Sequence, residues 1–242
     1  MSLLFSDDGV GTQHVCQEDT MEMKNYLKML REDIHTTVMA TVDEKGHPVT
    51  RVIDIMLEDG KTVYFITAKG KAFYRQLMEQ KFISVSGFCG GEGMDKKEAS
   101  IHMKAVSVRG TVRSIGAGML DEIFEENPYM NEIYPDAASR EALEVFCIAE
   151  GVGEYFDLSA KPITRESFSV GIKGGHTGGE MEGYCITDGC TGCGKCTGVC
   201  PQKCIDTGHI PFRIRSENCL HCGNCMEVCP SGAVEFKKYK RT

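Results

Sequence analysis

The chain has 242 residues, of which 41% are hydrophobic, and its formal net charge is −8. This length and apolar content fit one or two domains with a packed core, and the acidic balance argues against the basic surface that nucleic-acid binding needs. No apolar stretch reaches the roughly 18 residues of a membrane-spanning helix, so we expect a cytoplasmic protein without a nucleic-acid or membrane partner.

The N-terminal segment 1–20 is polar and acidic, and it lacks the basic and then apolar pattern of a signal peptide. We interpret it as a flexible arm without an assigned function. Thr20 is a candidate N-cap for a helix over 21–31, because apolar residues recur there on one helical face.

The next part of the chain has the patterning of a β domain. Turn residues separate segments that are rich in β-branched and aromatic residues. These segments predict strands over 36–42, 49–57, 62–67, 82–88, 100–115, 143–149 and 153–158. A short helix is predicted over 71–79, mixed helix and turn over 117–142, and a bulge near Gly110. About six antiparallel strands with few helices indicate a mainly β fold that forms a small barrel.

One local motif in this domain suggests an anion site. Thr67-Ala68-Lys69-Gly70-Lys71 ends a predicted strand and opens a predicted helix. The motif brings together a hydroxyl, free backbone N–H groups and two ammonium groups, which suit a phosphate. The alternative is that these lysines are ordinary solvated residues at the start of a helix.

The order of the segments adds weight to the phosphate interpretation. Residues 47–52, then 63–67, then Lys71 and then 82–85 resemble the pyridoxamine-phosphate-oxidase-like FMN-binding split barrel, over about residues 22–158. The resemblance implies a six-stranded antiparallel split β-barrel with flanking helices. It also implies a homodimer with flavin sites between the subunits.

The resemblance further implies which residues bind FMN. The strand Arg51-Val52-Ile53-Asp54 would lie along the flavin, and Arg51 would reach the phosphate. Thr67, Ala68, Lys69 and Lys71 would form the phosphate cradle. The alternative makes Arg51 a charge on the barrel rim, Thr67 a plain β residue and Lys71 a surface residue.

Two positions depart from the oxidases of that family. Lys104 stands where pyridoxamine-phosphate oxidases have arginine, and Ala105 where they have glutamine. These departures argue against oxidation of pyridoxamine phosphate itself.

A glycine-rich stretch separates the β domain from a cysteine-rich tail. We expect the FMN-binding domain to span 21–165, a linker to span 166–183 and a second domain to span 184–242. Ten of the 13 cysteines lie in this last part, and eight of them form two runs offset by 29 positions. The runs are Cys190-x2-Cys193-x2-Cys196-x3-Cys200-Pro201 and Cys219-x2-Cys222-x2-Cys225-x3-Cys229-Pro230.

This spacing favours iron–sulfur clusters over zinc or disulfides, because zinc sites use separated CxxC pairs without the x3-Cys-Pro ending. The tail resembles the bacterial two-[4Fe–4S] ferredoxins over about 184–236. In such runs the fourth cysteine binds the other cluster. One cluster would then be held by Cys190, Cys193, Cys196 and Cys229. The other would be held by Cys219, Cys222, Cys225 and Cys200.

Two further residues lie within or beside these runs. Cys204 occupies the place of Ala233 in the second copy, and we expect it to be a small buried residue and not a ligand. His221 lies inside the second run, and we expect it to modulate the solvent exposure of a cluster.

Clusters carry one electron at a time, whereas a flavin holds one or two. The sequence therefore predicts an iron–sulfur flavoprotein oxidoreductase that uses two [4Fe–4S] clusters, FMN and a small substrate, with a ferredoxin or a reductase as its redox partner. The alternatives are a non-enzymatic electron carrier with FMN as relay, and a redox sensor. No residue identifies a catalytic acid or base, so the catalytic residues are unknown at this point.

Overall fold

The computed structural model describes residues 23–171 and 181–239. The predicted arm over 1–20, the candidate cap Thr20 and the central part of the predicted linker lie outside these ranges. Among the described helices, none combines the length and the apolar character that crossing a bilayer requires.

The first part of the chain is mainly β, as predicted. Eight strands form one curled antiparallel sheet in the order β2-β1-β5-β6-β7-β4-β3, and β8 pairs with the second half of β7. β2 and β4 approach each other, which curls the sheet into a split barrel. The strands are β1 (Thr36–Val42), β2 (Pro48–Asp54), β3 (Leu57–Glu58), β4 (Val63–Ala68), β5 (Phe82–Cys89), β6 (Lys104–Gly116), β7 (Leu143–Asp157) and β8 (Thr164–Gly171).

Strand alternation determines which face of the sheet is buried. In β1, Thr37, Met39 and Thr41 point into the barrel, while Val38 between them is 48% exposed. The predicted bulge occurs just after Gly110, where the register between β6 and β7 shifts at Thr111. A Cβ on Gly110 would lie 2.3 Å from the carbonyl oxygen of Glu150, so glycine lets the two strands approach this closely.

Short helices flank the curled sheet. The helices are α1 (Met23–Lys28), α2 (Ala72–Gln80), α3 (Lys96–Ala99), α4 (Leu120–Glu126), α5 (Met130–Ile133) and α6 (Ala137–Arg140). α1 continues as a π-helical turn over Met29–Ile34, which ends at His35 with a φ of 56°. α1 and α2 pack on the core inside the barrel, and α4 and α5 pack on a second apolar cluster across β4 and β7.

The strand boundaries differ from the predictions in four places. The strand predicted over 100–115 begins only at Lys104, because Ser100–His102 form a 3-10 helical turn. The strand predicted over 49–57 is interrupted, because the buried Ile55 and Met56 join β2 to the two-residue β3. The strands predicted over 143–149 and 153–158 form one strand, since Glu150 and Gly151 between them still pair with β8. Residues 166–171 of the predicted linker form part of β8, where charged residues hide the alternation of a half-buried strand.

The C-terminal part is a small α+β module built from two similar halves. Its elements are β9 (Met181–Ile186), α7 (Lys195–Val199), β10 (Ile205–Asp206), β11 (Arg213–Ile214), α8 (Asn224–Glu227) and β12 (Val234–Tyr239). β9 pairs with β12, and β10 pairs with β11. A core that includes Ile205, Phe212 and Val234 lies between the two cysteine runs.

Candidate cofactor sites

Arg51 is held inside the barrel against α2. Its guanidinium donates to the hydroxyl of Thr41 at 2.7 Å and to the Gln76 side-chain oxygen at 2.9 Å. The guanidinium carbon lies 4.3 Å above the ring centroid of Phe73. Burial lowers the pKa of Arg51, yet an arginine stays charged at neutral pH. In the described part of the chain no carboxylate forms an ion pair with Arg51, so this half-buried cation suits an anionic ligand.

Thr67 lies on the same face of β4 as Phe65, which belongs to the core inside the barrel. It is 3% exposed, and its hydroxyl oxygen is buried without a hydrogen-bond partner in the described structure. A buried hydroxyl without a hydrogen-bond partner destabilises the fold, and a bound oxyanion would accept a hydrogen bond from it. Phe65 stacks on Phe73 with centroids 6.0 Å apart, so the face of β4 that carries Thr67 packs on the same helix that Arg51 contacts.

The other members of the predicted cradle divide into two groups. Lys71 is exposed and caps the start of α2, where free backbone N–H groups attract anions. Lys69 is turned towards the loop before β7, because its ammonium donates to the carbonyl of Glu141 at 3.1 Å. Ala68 packs against the second apolar cluster, on the opposite face from Thr67. Thr67 and Lys71 therefore fit a phosphate, and Lys69 and Ala68 shape the turn.

The outer edge of β2 carries unpaired backbone groups. Ile55 N–H donates to the carbonyl of His35 at 2.8 Å, and the same register continues along β1 and β2. Hydrogen-bonded pairs alternate in an antiparallel ladder, so Arg51 and Ile53 bond to β1, whereas the backbone groups of Val52 and Asp54 point to the open edge. The side chains alternate as well: Arg51 and Ile53 face inwards, and Val52 is 66% exposed on the outer face.

A polar network that the sequence did not predict surrounds Asp54. Tyr129 OH donates to Asp54 at 2.9 Å, and Thr36 donates to its other oxygen at 2.8 Å. His35 Nε2 lies 3.1 Å from Tyr129 OH, and the guanidinium of Arg31 reaches His35 Nδ1. Burial and the bond to Asp54 raise the pKa of Tyr129 to about 12. Only the fold brings these distant segments together, so no local motif signalled the network.

The eight motif cysteines line two separate cavities in the module. The first cavity is lined by Cys190, Cys193 and Cys196 of the first run and by Cys229 of the second. The second is lined by Cys219, Cys222 and Cys225 of the second run and by Cys200 of the first. Each cavity thus receives three thiols from one run and the fourth from the other. Apolar residues complete the walls, and the described cysteines form no disulfides.

Positive φ values allow the tight turns of both runs. Gly194 and Gly223 occupy equivalent positions, with φ of 74° and 81°. Gly192 has a φ of 71°, and its equivalent His221 has a φ of 54°. His221 packs edge-on against Tyr184 and Phe236. Burial lowers the pKa of His221, and the charge of Arg165 lowers it further.

Cys204 lies in the wall of the second cavity. It is 3% exposed, and its sulfur is 3.5 Å from that of Cys200. Burial raises the pKa of the Cys204 thiol, and the contacts with Cys200 and Cys219 raise it further. The prediction that Cys204 is small and buried is confirmed, but its contact with two motif cysteines was not predicted.

The second cavity is the one attached to the barrel. Ile163, in the loop between β7 and β8, donates its N–H to the side chain of Gln202 at 3.2 Å. Its carbonyl accepts from the side-chain amide of Asn218, also at 3.2 Å. Gln202 follows Cys200 by two positions, and Asn218 immediately precedes Cys219. These two polar contacts hold the wall of the second cavity on the barrel.

Comparisons with known proteins agree with this division into a barrel and a module. The family model described as "Pyridoxamine 5'-phosphate oxidase" matches residues 23–149. The model described as "4Fe-4S dicluster domain" matches residues 189–233. No curated protein matches the chain.

Solved structures are similar to part of this chain at low sequence identity. A NimC/NimA family protein from Clostridium acetobutylicum is 20% identical; the match covers 62% of this chain and 92% of that one, with a TM-score of 0.48. A protein from the same organism related to general stress protein 26 is 14% identical, with coverages of 62% and 96% and a TM-score of 0.44. A pyridoxamine 5'-phosphate oxidase-related, FMN-binding protein from Nostoc punctiforme is 13% identical, with coverages of 62% and 91% and a TM-score of 0.38.

The family model covers more than half of the chain, and its match runs from the start of α1 into β7. The dicluster match covers both cysteine runs and both thiol-lined cavities. The chain belongs to the pyridoxamine 5'-phosphate oxidase family, and it carries a 4Fe-4S dicluster ferredoxin domain at its C-terminal end.

Proposed function

We propose that this chain is an iron–sulfur flavoprotein oxidoreductase that passes electrons between two [4Fe–4S] clusters and FMN, and to or from a small substrate. FMN supplies one- and two-electron chemistry when it is bound, and the clusters supply one-electron chemistry. A chain that holds both kinds of group links one-electron partners to a two-electron reaction.

In this proposal Arg51, Thr67 and Lys71 hold the FMN phosphate. The support is chemical, because Arg51 is a half-buried cation without a carboxylate and Thr67 has a buried hydroxyl without a partner. The open edge of β2 would present the backbone of Val52 and Asp54 to the polar edge of the flavin ring, while Ile53 anchors the strand in the barrel core. Lys69 and Ala68 support the turn that leads to Lys71.

The motif cysteines hold the clusters in this proposal. Cys190, Cys193, Cys196 and Cys229 form the first ligand set, and Cys219, Cys222, Cys225 and Cys200 form the second ligand set. The two cavities support the crossing of the fourth cysteines. Because each set draws on both halves of the module, we expect the bound clusters to stabilise its fold.

The observation that carries the proposal is the attachment of the second cavity to the barrel. Gln202 and Asn218 lie beside ligands of the second set, and both bond to the backbone of Ile163 between β7 and β8. A module tethered only by a linker would need no such contacts. The arrangement favours electron transfer within the chain over an independent ferredoxin.

We further propose that the protein is a homodimer that pairs through the outer face of β1, β2 and β5. Val38, Val52 and Phe88 are between 48% and 66% exposed on this face, and Val38 pairs directly with Val52 in the sheet. A contiguous exposed apolar face marks an interaction site in a water-soluble domain. Membership of a family that forms dimers supports the same assignment.

The substrate is proposed only as a small molecule that takes up or gives up electrons. Lys104 and Ala105, which replace arginine and glutamine of the oxidases, begin β6 and pair with Asp157 and Phe156. Their side chains lack the donor set of the oxidase, so a substrate other than pyridoxamine phosphate fits better. A reduced ferredoxin or a reductase would exchange electrons at the module.

A specific observation favours a redox sensor as the second candidate function. The contacts to Ile163 come from residues that flank ligands, so loss of a cluster would loosen the module from the barrel. A sensor would change its partner binding on cluster loss without turnover. An oxidoreductase would lose electron transfer to FMN instead.

The test is anaerobic rapid mixing of the FMN-loaded protein with a one-electron donor such as reduced ferredoxin. The comparison is a Cys193→Ser, Cys222→Ser double variant, which removes one ligand from each set. We expect FMN reduction to slow by about tenfold or more. A tenfold change corresponds to an increase of about 1.4 kcal/mol in the activation free energy. Equal rates in both proteins would contradict the proposal.

A further inference from the structure

The two halves of the module differ four positions after the fourth cysteine of each run. The offset of 29 positions pairs Cys204 with Ala233. Both backbone N–H groups donate to the cysteine four positions earlier, Cys204 to Cys200 at 3.4 Å and Ala233 to Cys229 at 3.3 Å. The backbone therefore gives both ligand sets the same hydrogen bond. The side-chain contacts differ: the hydroxyl of Ser231 lies 3.6 Å from the sulfur of Cys229 in the first set, whereas the thiol of Cys204 contacts the sulfur of Cys200 in the second set.

The contact between Cys204 and Cys200 joins two sulfur atoms. Cys204 Sγ lies 3.5 Å from Cys200 Sγ, and the Cys204 thiol also contacts the thiol of Cys219. Cys204 is 3% exposed, so water does not compete for these sulfur contacts. A thiol is a weak donor, and a ligand cysteine is a thiolate that can only accept. With Cys200 as a ligand, the hydrogen bond runs from Cys204 to Cys200.

Hydrogen bonds to ligand sulfurs help to set the reduction potential of an iron–sulfur cluster. They stabilise the reduced form more, because that form carries more negative charge on sulfur. We propose that the Cys204 thiol raises the reduction potential of the [4Fe–4S] group held by the second ligand set above the value that this group would have without the thiol. This inference rests on the iron–sulfur content of the proposed function.

The affected set is the one that is attached to the barrel. Gln202 and Asn218, which bond to Ile163, lie next to Cys200 and Cys219 in the sequence, and both of these cysteines contact Cys204. A raised reduction potential at the second ligand set favours the reduced state on the barrel side of the module. Cys204 acts through Cys200, so it is a positioning residue and not a ligand.

The test is an anaerobic redox titration followed by EPR, on samples whose iron and sulfide are counted. For Cys204→Ala we expect one of the two reduction steps to move to lower potential and the other to stay. The shift should change the equilibrium constant roughly three- to tenfold, and tenfold is about 59 mV for one electron. Cys204→Ser keeps a donor, so we expect a smaller shift.

Ala233→Cys is the matched variant in the other half. It offers a thiol to Cys229, and we expect it to raise the step that Cys204→Ala leaves unchanged. Unmoved steps in both variants, with full iron content, overturn this inference alone. Loss of about half the iron from Cys204→Ala would also overturn it, because Cys204 would then be a ligand. A wild-type protein without iron and sulfide would instead remove the proposed function.

Discussion

The guanidinium carbon of Arg51 lies 4.3 Å above the ring centroid of Phe73. This contact ties β2 to α2 across the inside of the barrel, and Thr41 and Gln76 fix the plane of the guanidinium. A cation fixed in this way, without a carboxylate in the described structure, is pre-organised for an anion. The FMN assignment therefore depends on Arg51 more than on any other residue of the barrel.

Arg51→Ala should weaken FMN binding by roughly 10- to 100-fold, because a hydrogen bond to a charged group contributes about 1.5–3 kcal/mol. Fluorescence titration of the protein with FMN measures the dissociation constant. Lys45→Ala removes an exposed cation from the β1–β2 turn and is the control; we expect it to have no effect. Equal affinities in wild type and Arg51→Ala would exclude the phosphate role.

Thr67→Val should affect stability and affinity in opposite directions. Replacing a buried hydroxyl that has no partner by a methyl group is neutral or stabilising in the FMN-free protein. The same change removes a donor to the phosphate, so FMN affinity should fall by about fivefold, or about 1 kcal/mol. Thermal unfolding with and without FMN measures both effects. Destabilisation of the FMN-free protein would mean that the hydroxyl has another partner.

The sequence predicted much of the fold because its strands alternate strongly. The bounds of β1 matched the prediction, and those of β4 and β5 differed by at most one residue. β8 was not predicted, because Arg165 and Glu166 are half buried in a strand that carries few apolar residues. Pattern shows which residues face inwards, but not which charged side chains find partners across the sheet.

The sequence likewise predicted only part of the candidate sites. The spacing of the cysteine runs predicted both groups of thiols, because each run is local in sequence. The partners of Arg51, namely Thr41 and Gln76, come from β1 and α2, and only tertiary packing brings them together. The contact of Cys204 with Cys219 likewise depends on the pairing of the two halves of the module.

Asn218→Ala combined with Gln202→Ala should loosen the module from the barrel. Both side chains bond to the backbone of Ile163, and their loss leaves only the remaining packing and the chain connection. We expect electron transfer from the module to FMN to slow severalfold while iron and flavin contents stay unchanged. Rapid-mixing absorbance follows the reaction. Asn224→Ala, an exposed amide on α8, serves as the control. An unchanged rate would show that these contacts do not determine electron transfer.

Val38→Glu should disrupt the proposed dimer, since it places a charge in the centre of the exposed face where Val38 pairs with Val52. Sedimentation of wild type and variant measures the mass of the particle in solution. Met94→Glu changes a residue of similar exposure, at 45%, in the loop before α3, and we expect it to leave the dimer intact. A monomeric wild-type protein would contradict the dimer directly.

The most direct measurement is the iron, acid-labile sulfide and flavin content of protein that is prepared anaerobically and then incubated with FMN. Two [4Fe–4S] clusters and one flavin predict about eight irons, about eight sulfides and about one FMN per chain. Zinc in place of iron, or a barrel that retains no FMN after incubation, would contradict the account of this protein as an iron–sulfur flavoprotein.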